Sequence, residues 1–221
     1  MNNTPTFDEA GLRGQLVAAL QRLDALGLNR GSTGNLSHRL GDGMLITPTG
    51  MGAADCGPAD LVWLGFDGRL RGAWQPSSEW HVHQALYQAR PELNAVVHTH
   101  PPRATALACL RRPLPAFHYM VAVAGGHDVR CAPYHLFGTP ELSQAVVQAM
   151  EGRKACLLAT HGLVTAGATL REAMKVTLEI ESLCDSYLRA LAVGEPVLLS
   201  EAEMAAVIER FRSYGQGGRG A

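Results

Sequence analysis

Apolar residues recur at helical spacing along much of the chain. Leucines at intervals of three or four residues between Leu12 and Leu23 predict an amphipathic helix over residues 8–27. Gly27 and Asn29 supply a suitable stop for this helix. Similar patterns predict further helices between Ser77 and Pro91, from Pro102 onward, and over residues 140–150, 170–191 and 205–211.

Short apolar runs bounded by glycine and aspartate predict strands between these helices. Turn residues such as Gly41-Asp42-Gly43 and Asp67-Gly68 favour antiparallel hairpins. The segment 31–37 is rich in small polar residues and is expected to be a loop. The predicted strands cover residues 44–47, 61–66, 95–100 and 155–160.

The sequence has no linker, repeat or low-complexity block that would divide it. We therefore expect a single α/β domain over residues 1–221, in which helices flank a central, mainly antiparallel sheet. Residues 1–7 and 215–221 are expected to form flexible tails.

Composition narrows the class of partner. The chain has 19 basic and 20 acidic residues and a formal net charge of -1, which gives no electrostatic case for nucleic acid or an anionic membrane. A small-molecule partner is favoured. The absence of a signal-like or membrane-spanning segment leads us to expect a cytoplasmic protein, and an odd number of scattered cysteines, five, favours reduced thiols.

The segment Val97-His98-Thr99-His100 carries the most specific chemical signal in the sequence. Alternate side chains of a strand point to the same face, so His98 and His100 are expected to lie side by side. His161 follows another predicted strand and is a candidate third ligand for a metal site with an open position. The alternative is that His161 is a buried histidine with a hydrogen-bonded ring.

Glu79 is the candidate acid or base for such a site. Ser77-Ser78 would supply a serine N-cap and place Glu79 in the first turn of the following helix, where glutamate is also common as a purely capping residue. A pairing with His83, four residues later on the same helix face, is a further alternative.

Three loops offer hydroxyl and backbone N–H groups of the kind that bind an anion. Each of them, taken alone, is equally well explained as an ordinary turn. The three are residues 32–37, residues 47–50 and Ser77-Ser78.

Together these segments resemble the class II aldolase family, over about residues 11–214. The motifs occur in the order and spacing of that family, and several in register make the resemblance specific. They are Gly34-Asn35-Leu36-Ser37, Leu45-Ile46-Thr47-Pro48-Thr49-Gly50, Pro76-Ser77-Ser78-Glu79, Val97-His98-Thr99-His100-Pro101 and His161-Gly162.

The resemblance implies a metal-dependent lyase that cleaves a ketose 1-phosphate, such as L-fuculose 1-phosphate or a related deoxy-ketose phosphate, to dihydroxyacetone phosphate and an aldehyde. His98, His100 and His161 would hold Zn²⁺, with Mn²⁺ or Co²⁺ as other possible ions. Glu79 would be a fourth ligand at rest and the acid/base once substrate displaces it.

The same resemblance implies where substrate binds and how the subunits assemble. Tyr119 would donate a proton to the aldehyde oxygen in a neighbouring subunit's site, within a homotetramer. Phe137 and Tyr214 would shape the aldehyde pocket. The residues implied to bind the substrate phosphate are Asn35, Thr49, Gly50, Ser77 and Ser78.

Three other functions remain open at the level of sequence. A sugar-phosphate 4-epimerase of the same superfamily would break and rejoin the same bond, but such enzymes usually carry aspartate at the place of Glu79. A methylthioribulose-1-phosphate dehydratase would share the metal site. A non-catalytic head domain would lack the histidine ligands, which are present here.

Overall fold

The computed structural model describes residues 8–213, and these form an eight-stranded sheet with helices on both faces. The strand order is β4-β3-β2-β1-β5-β8-β7-β6, and only the β6–β7 pair is parallel. The expected α/β fold with a mainly antiparallel sheet is confirmed. The strands are β1 (Asn35–Leu40), β2 (Gly43–Ile46), β3 (Val62–Gly65), β4 (Leu70–Arg71), β5 (Ala95–Thr99), β6 (Cys131–Ala132), β7 (Ala155–Leu158) and β8 (Gly162–Gly167).

Six α-helices cover the sheet. They are α1 (Glu9–Ala25), α2 (Trp80–Ala89), α3 (Pro102–Cys109), α4 (Pro140–Ala149), α5 (Leu170–Leu191) and α6 (Glu201–Ser213). A 3₁₀ helix, Tyr119–Ala124, lies between α3 and β6. All six helices were predicted, and their bounds differ by a few residues, most at α6, which begins four residues earlier than expected.

Alternation along the strands assigns each helix to a face of the sheet. Met44, Ile46 and Val96 pack with residues of α2 and α4 on one face. The neighbouring side chains Leu45 and Val97 pack with α1 and the start of α5 on the other. A third cluster, built around α3 and α5, closes the sheet at its β7 end.

Four of the eight strands were missed from the sequence, namely β1, β4, β6 and β8. Residues 35–40, of which 35–37 were expected to be a loop, form β1 in the middle of the sheet, paired with β2 and β5. The apolar pattern does not reveal this strand, because Asn35 and Ser37 are buried through hydrogen bonds and not through apolar contact. The predicted strand 155–160 instead stops at Leu158 and turns into β8.

The turn from β7 to β8 corrects the expected position of His161. Residues 159–161 form the turn, so His161 lies between two antiparallel strands and does not end β7 as expected. Thr160 adopts φ 56°, which is rare for a β-branched residue. The left-handed residue lets the chain reverse immediately before His161.

The helix that carries Glu79 also starts later than expected. Helix α2 begins at Trp80, so Glu79 occupies the N-cap position, and its side chain makes no capping hydrogen bond. The expected serine N-cap is therefore wrong, although the Ser77 hydroxyl does accept the Glu79 backbone N–H at 3.3 Å. Freed from capping, the Glu79 carboxylate can face the sheet.

Helix α3 follows the His98–His100 segment directly in the chain, and its start is held by α5. Its first backbone N–H groups, from Arg103 and Ala104, are accepted by the Glu181 carboxylate of α5 at 2.8–3.1 Å. These donors have no partner within their own helix, so Glu181 fulfils the role of a cap from a distant element. None of the helices in the described part of the chain combines the length and apolar character needed to cross a bilayer.

Candidate metal centre and substrate cleft

Three imidazoles converge at the ends of β5 and β8. The ligand atoms of His98, His100 and His161 all lie within 4.8 Å of one another, and the Nε2 atoms of His98 and His100 are 3.0 Å apart. Tetrahedral nitrogen ligands at about 2.0–2.1 Å from a zinc ion would stand roughly 3.3 Å from each other. The spacing therefore fits a common divalent cation.

The strand register explains why these side chains meet. Asn35 on β1 lies opposite His98 on β5, and Thr99 on β5 lies opposite Leu163 on β8. His98 shares the α2-facing side of the sheet with Val96 two residues earlier. Because α2 packs on that side, the residue before it, Glu79, reaches the histidines.

The Glu79 carboxylate lies against the histidine cluster. Its Oε2 is 3.1 Å from His98 Nε2, and its Oε1 is 3.3 Å from His161 Nε2. Burial by itself would raise the pKa of Glu79, but the neighbouring His98, together with His161 and a hydrogen bond from Asn35, lowers it well below its usual range. Glu79 is thus held as an anion beside three possible ligands.

The imidazoles are prepared for a cation. His98 Nδ1 lies 3.0 Å from the Leu163 carbonyl oxygen. Because this oxygen can only accept a hydrogen bond, Nδ1 carries the donating proton and Nε2 is left to ligate. Burial and the nearby His98 lower the pKa values of His100 and His161 to about 4, so both are neutral at pH 7. Neutral imidazoles are the form that binds metal.

Gly162 is required for the close approach of β5 and β8 at the cluster. A Cβ atom added there would lie 2.5 Å from the Thr99 carbonyl oxygen and 2.8 Å from His100 Cδ2. The Thr99 carbonyl belongs to β5 and cannot move away cheaply, and a shift of the His100 ring would move a candidate ligand. The position directly after His161 therefore requires glycine.

A cleft of about 550 Å³ opens above the histidines and Glu79. This volume is in the range of small-ligand sites. The five candidate phosphate-binding residues all line it, as does Phe137. Among the described residues of the cleft none is lysine or arginine, so an anion there would be bound by neutral donors: Asn35, Thr49, Gly50, Ser77 and Ser78.

Sequence reasoning missed part of the cleft. Tyr134, His135 and Thr160 also line it; Tyr134 ends the family-like segment Cys131-Ala132-Pro133-Tyr134, whereas no pattern marks His135 or Thr160 as cleft residues. His83, considered as a partner for Glu79, is fully buried, and its ring nitrogens contact Asn35 and Ser37.

Two candidates are not in this cleft. Tyr119 is half exposed and lies near Phe211, 6.5 Å between ring centroids, at a separate cavity beside α5 and α6. To act at the cleft, Tyr119 would have to come from another copy of the chain. Tyr214 lies outside the described residues.

An α/β domain that gathers three histidines and a carboxylate at the ends of central strands, beneath a polar cleft, is typical of metal-dependent enzymes acting on oxygen-rich substrates. Residues 14–188 match the family model described as Class II Aldolase and Adducin N-terminal domain, and the chain belongs to this family. The sequence-based assignment to class II aldolases, which are lyases, is confirmed.

Named relatives are similar over nearly the whole chain. The 5-methylthioribulose-1-phosphate/5-deoxyribulose-1-phosphate aldolase of Rhodospirillum rubrum is 52% identical over 92% of this chain and 92% of its own. The L-fuculose phosphate aldolase of Escherichia coli O6:H1 is 46% identical over 91% and 94%. A solved L-fuculose 1-phosphate aldolase superposes with a TM-score of 0.88 at 40% identity, covering 91% of this chain and 96% of that one.

Substitution of Gly162 tests the geometry of the cluster. Gly162→Ala should lower the metal content of the purified protein strongly, because the added methyl group displaces His100 or separates β5 from β8. Metal is measured by elemental mass spectrometry after dialysis against buffer with equimolar zinc. Gly14→Ala in α1, which has open space around it, is the matched control and should keep full metal content. Equal metal content in both variants would contradict the geometry.

Proposed function

We propose that this protein is a divalent-metal-dependent aldolase that cleaves a ketose 1-phosphate between C3 and C4 to give dihydroxyacetone phosphate and an aldehyde. The observation that carries the proposal is the placement of Glu79 against all three parts of the site: the histidine cluster, Asn35 and the cleft. The membership of the chain in a family of named aldolases supports the reaction class.

The donor set fits a cation, and zinc is the ion we propose. Three imidazoles with one carboxylate are a common ligand set for catalytic zinc, and Mn²⁺ and Co²⁺ accept the same donors. When bound, such an ion polarises the ketose carbonyl and stabilises the negative charge that develops as the C3–C4 bond breaks.

The protein side chains supply binding and proton transfer. The hydroxyl and amide donors of the cleft bind the phosphate, and this fixes C3 near Glu79. Glu79 exchanges the proton at C3, as its contact with the histidines and its charged resting state favour. Tyr119 of a neighbouring subunit donates a proton to the aldehyde oxygen in the synthetic direction and receives it during cleavage.

The aldehyde end of the cleft favours a substrate with little polarity beyond C4. Phe137 and Tyr134, both more than half exposed, offer apolar surface there. This supports 5-deoxyribulose and 5-methylthioribulose 1-phosphates, which are the substrates in the name of the Rhodospirillum rubrum relative, ahead of L-fuculose 1-phosphate. The phosphate and ketone half is common to all three sugars.

A retro-aldol panel tests the proposed function. Zinc-loaded protein is incubated with each of the three ketose 1-phosphates, and dihydroxyacetone phosphate is measured with a coupled dehydrogenase. The 5-deoxyribulose and 5-methylthioribulose 1-phosphates should give a higher kcat/KM than L-fuculose 1-phosphate. A chelator should lower the rate by at least about 10²–10³-fold because it removes the electrostatic stabilisation. Isomerised or dehydrated product without fragments would instead indicate an epimerase or a dehydratase.

Separate variants distinguish metal binding from proton exchange. Glu79→Gln should keep most of the bound metal, since three imidazoles remain, but should lose turnover because an amide cannot exchange the proton at C3. His100→Ala should lose both. Metal content and dihydroxyacetone phosphate release are measured on the same samples. Normal turnover in the Gln variant would exclude Glu79 as the base.

Mixed oligomers test the contribution of Tyr119 from a second subunit. Tyr119→Phe and Glu79→Gln should each be nearly inactive, but co-assembly in equal amounts should restore about a quarter of the sites, those that combine an intact Glu79 with a partner's intact Tyr119. Activity is measured after co-expression of differently tagged chains and purification through both tags. Co-assembly of Glu79→Gln with His100→Ala is the control, because these residues share one subunit and restoration needs both on the same chain. Lack of any recovery in the first mixture would contradict a shared site.

A further inference from the structure

A line of buried hydrogen bonds runs from Glu79 into the core below the cleft. Asn35 Nδ2 donates to Glu79 Oε2 at 3.1 Å, and Asn35 Oδ1 lies 2.5 Å from His83 Nε2. His83 Nδ1 is 2.7 Å from the hydroxyl of Ser37, which is 2.8 Å from the hydroxyl of Tyr87. All members beyond Glu79 are at most 4% exposed, so water does not compete for these contacts.

The chemistry of the groups fixes the direction of the first two hydrogen bonds in this line. A carboxylate only accepts, so Asn35 must turn its amide nitrogen to Glu79 and its oxygen to His83. That oxygen also only accepts, so His83 must carry its proton on Nε2.

The remaining two bonds follow from the charge state of His83. Burial, with the nearby His98, lowers the pKa of His83 to about 3, so its ring is neutral and Nδ1 accepts from Ser37. The Ser37 oxygen is then free to accept from Tyr87, whose other neighbour, the Asn94 carbonyl oxygen, is further away at 3.4 Å. Every donor in the line therefore points towards Glu79.

We propose that His83 is a positioning residue for the aldolase reaction: by donating from Nε2 to Asn35 Oδ1, it fixes the amide so that an N–H group faces the Glu79 carboxylate. A flipped amide would place two acceptors 3.1 Å apart with no proton between them. His83 itself is fully buried and does not line the cleft. The inference rests on the proposed role of Glu79 as the base.

The line orients Glu79 and does not conduct protons. The amide of Asn35 interrupts it, because an amide nitrogen does not pass on a proton near neutral pH. Its far end is the buried Tyr87 hydroxyl, whose pKa burial raises above its usual range, so no base stands there. Aligned donors polarise one another, and this strengthens the last hydrogen bond, from Asn35 to the carboxylate.

Nuclear magnetic resonance of the resting protein tests the arrangement without any assay of activity. In protein labelled with ¹⁵N-histidine, the His83 ring should show a protonated Nε2 and an unprotonated Nδ1 at pH 7. Its signals are assigned as those missing from the His83→Gln spectrum. A ring protonated on Nδ1 alone, or on both nitrogens, would overturn the proposal even if every variant failed to fold.

Kinetics of paired variants test the consequence. His83→Leu, which fills the space without a donor, should lower kcat on the best cleaved ketose 1-phosphate by roughly 10–10²-fold, the effect of losing support for one charge-assisted hydrogen bond. KM should change by less than about threefold and metal content not at all, because neither ligand nor phosphate donor is removed. His83→Gln, which offers both an N–H donor and an acceptor oxygen, should recover most of kcat.

Controls separate positioning from loss of fold and from failure of the proposed function. His127→Leu, at a half-exposed histidine outside the cleft, should match the wild type. A folded, metal-loaded His83→Leu protein with normal kcat, or a Gln variant as impaired as Leu, would overturn the positioning role. If the wild type cleaved none of the sugars, the proposed function would fail while the ring tautomer would still be decided by resonance.

Discussion

The candidate site depends on the antiparallel pairing of β1, β5 and β8 in a single register. This pairing sets Asn35 opposite His98 and brings the turn before β8 against the end of β5. A slip of one residue would move His98 to the other face of the sheet, away from α2 and Glu79. The apolar neighbours of His98, Val96 and Val97, are buried on opposite faces, and their burial holds the register.

Burial of the charged group is made tolerable by its neighbours. A carboxylate as enclosed as Glu79 would ordinarily take up a proton, since burial raises its pKa, but the imidazoles and the amide of Asn35 keep it ionised. The surrounding fold thus holds a carboxylate anion and three imidazoles within the same few ångströms. A bound cation would replace some of this stabilisation and would occupy the position that the four side chains enclose.

The cleft above the histidines is closed at the sheet and open towards solvent. Its floor is formed by the sheet. Uncharged donors such as Ser77 line the side proposed to bind phosphate, and exposed aromatic rings such as Phe137 line the side proposed to bind the aldehyde. Tyr119, placed on a different surface of the same chain, has no role in this cleft unless subunits associate. Assembly is therefore a condition of the proposed chemistry, because each cleft would receive Tyr119 from a neighbouring subunit.

The sequence by itself determined the fold class, the six helices and four of the eight strands, because apolar periodicity reports which face of an element is buried. It also determined the side-by-side placement of His98 and His100, which follows from strand alternation alone. It failed at β1, where Asn35 and Ser37 are buried by hydrogen bonding, and at His161, whose turn is set by how β7 pairs with β8. Only the tertiary structure decided that the carboxylate of Glu79, at the N-cap of α2, contacts the histidines and makes no capping hydrogen bond, and that His83 contacts Asn35. These contacts join residues 44 and 48 positions apart in the chain, and no local pattern encodes such separations.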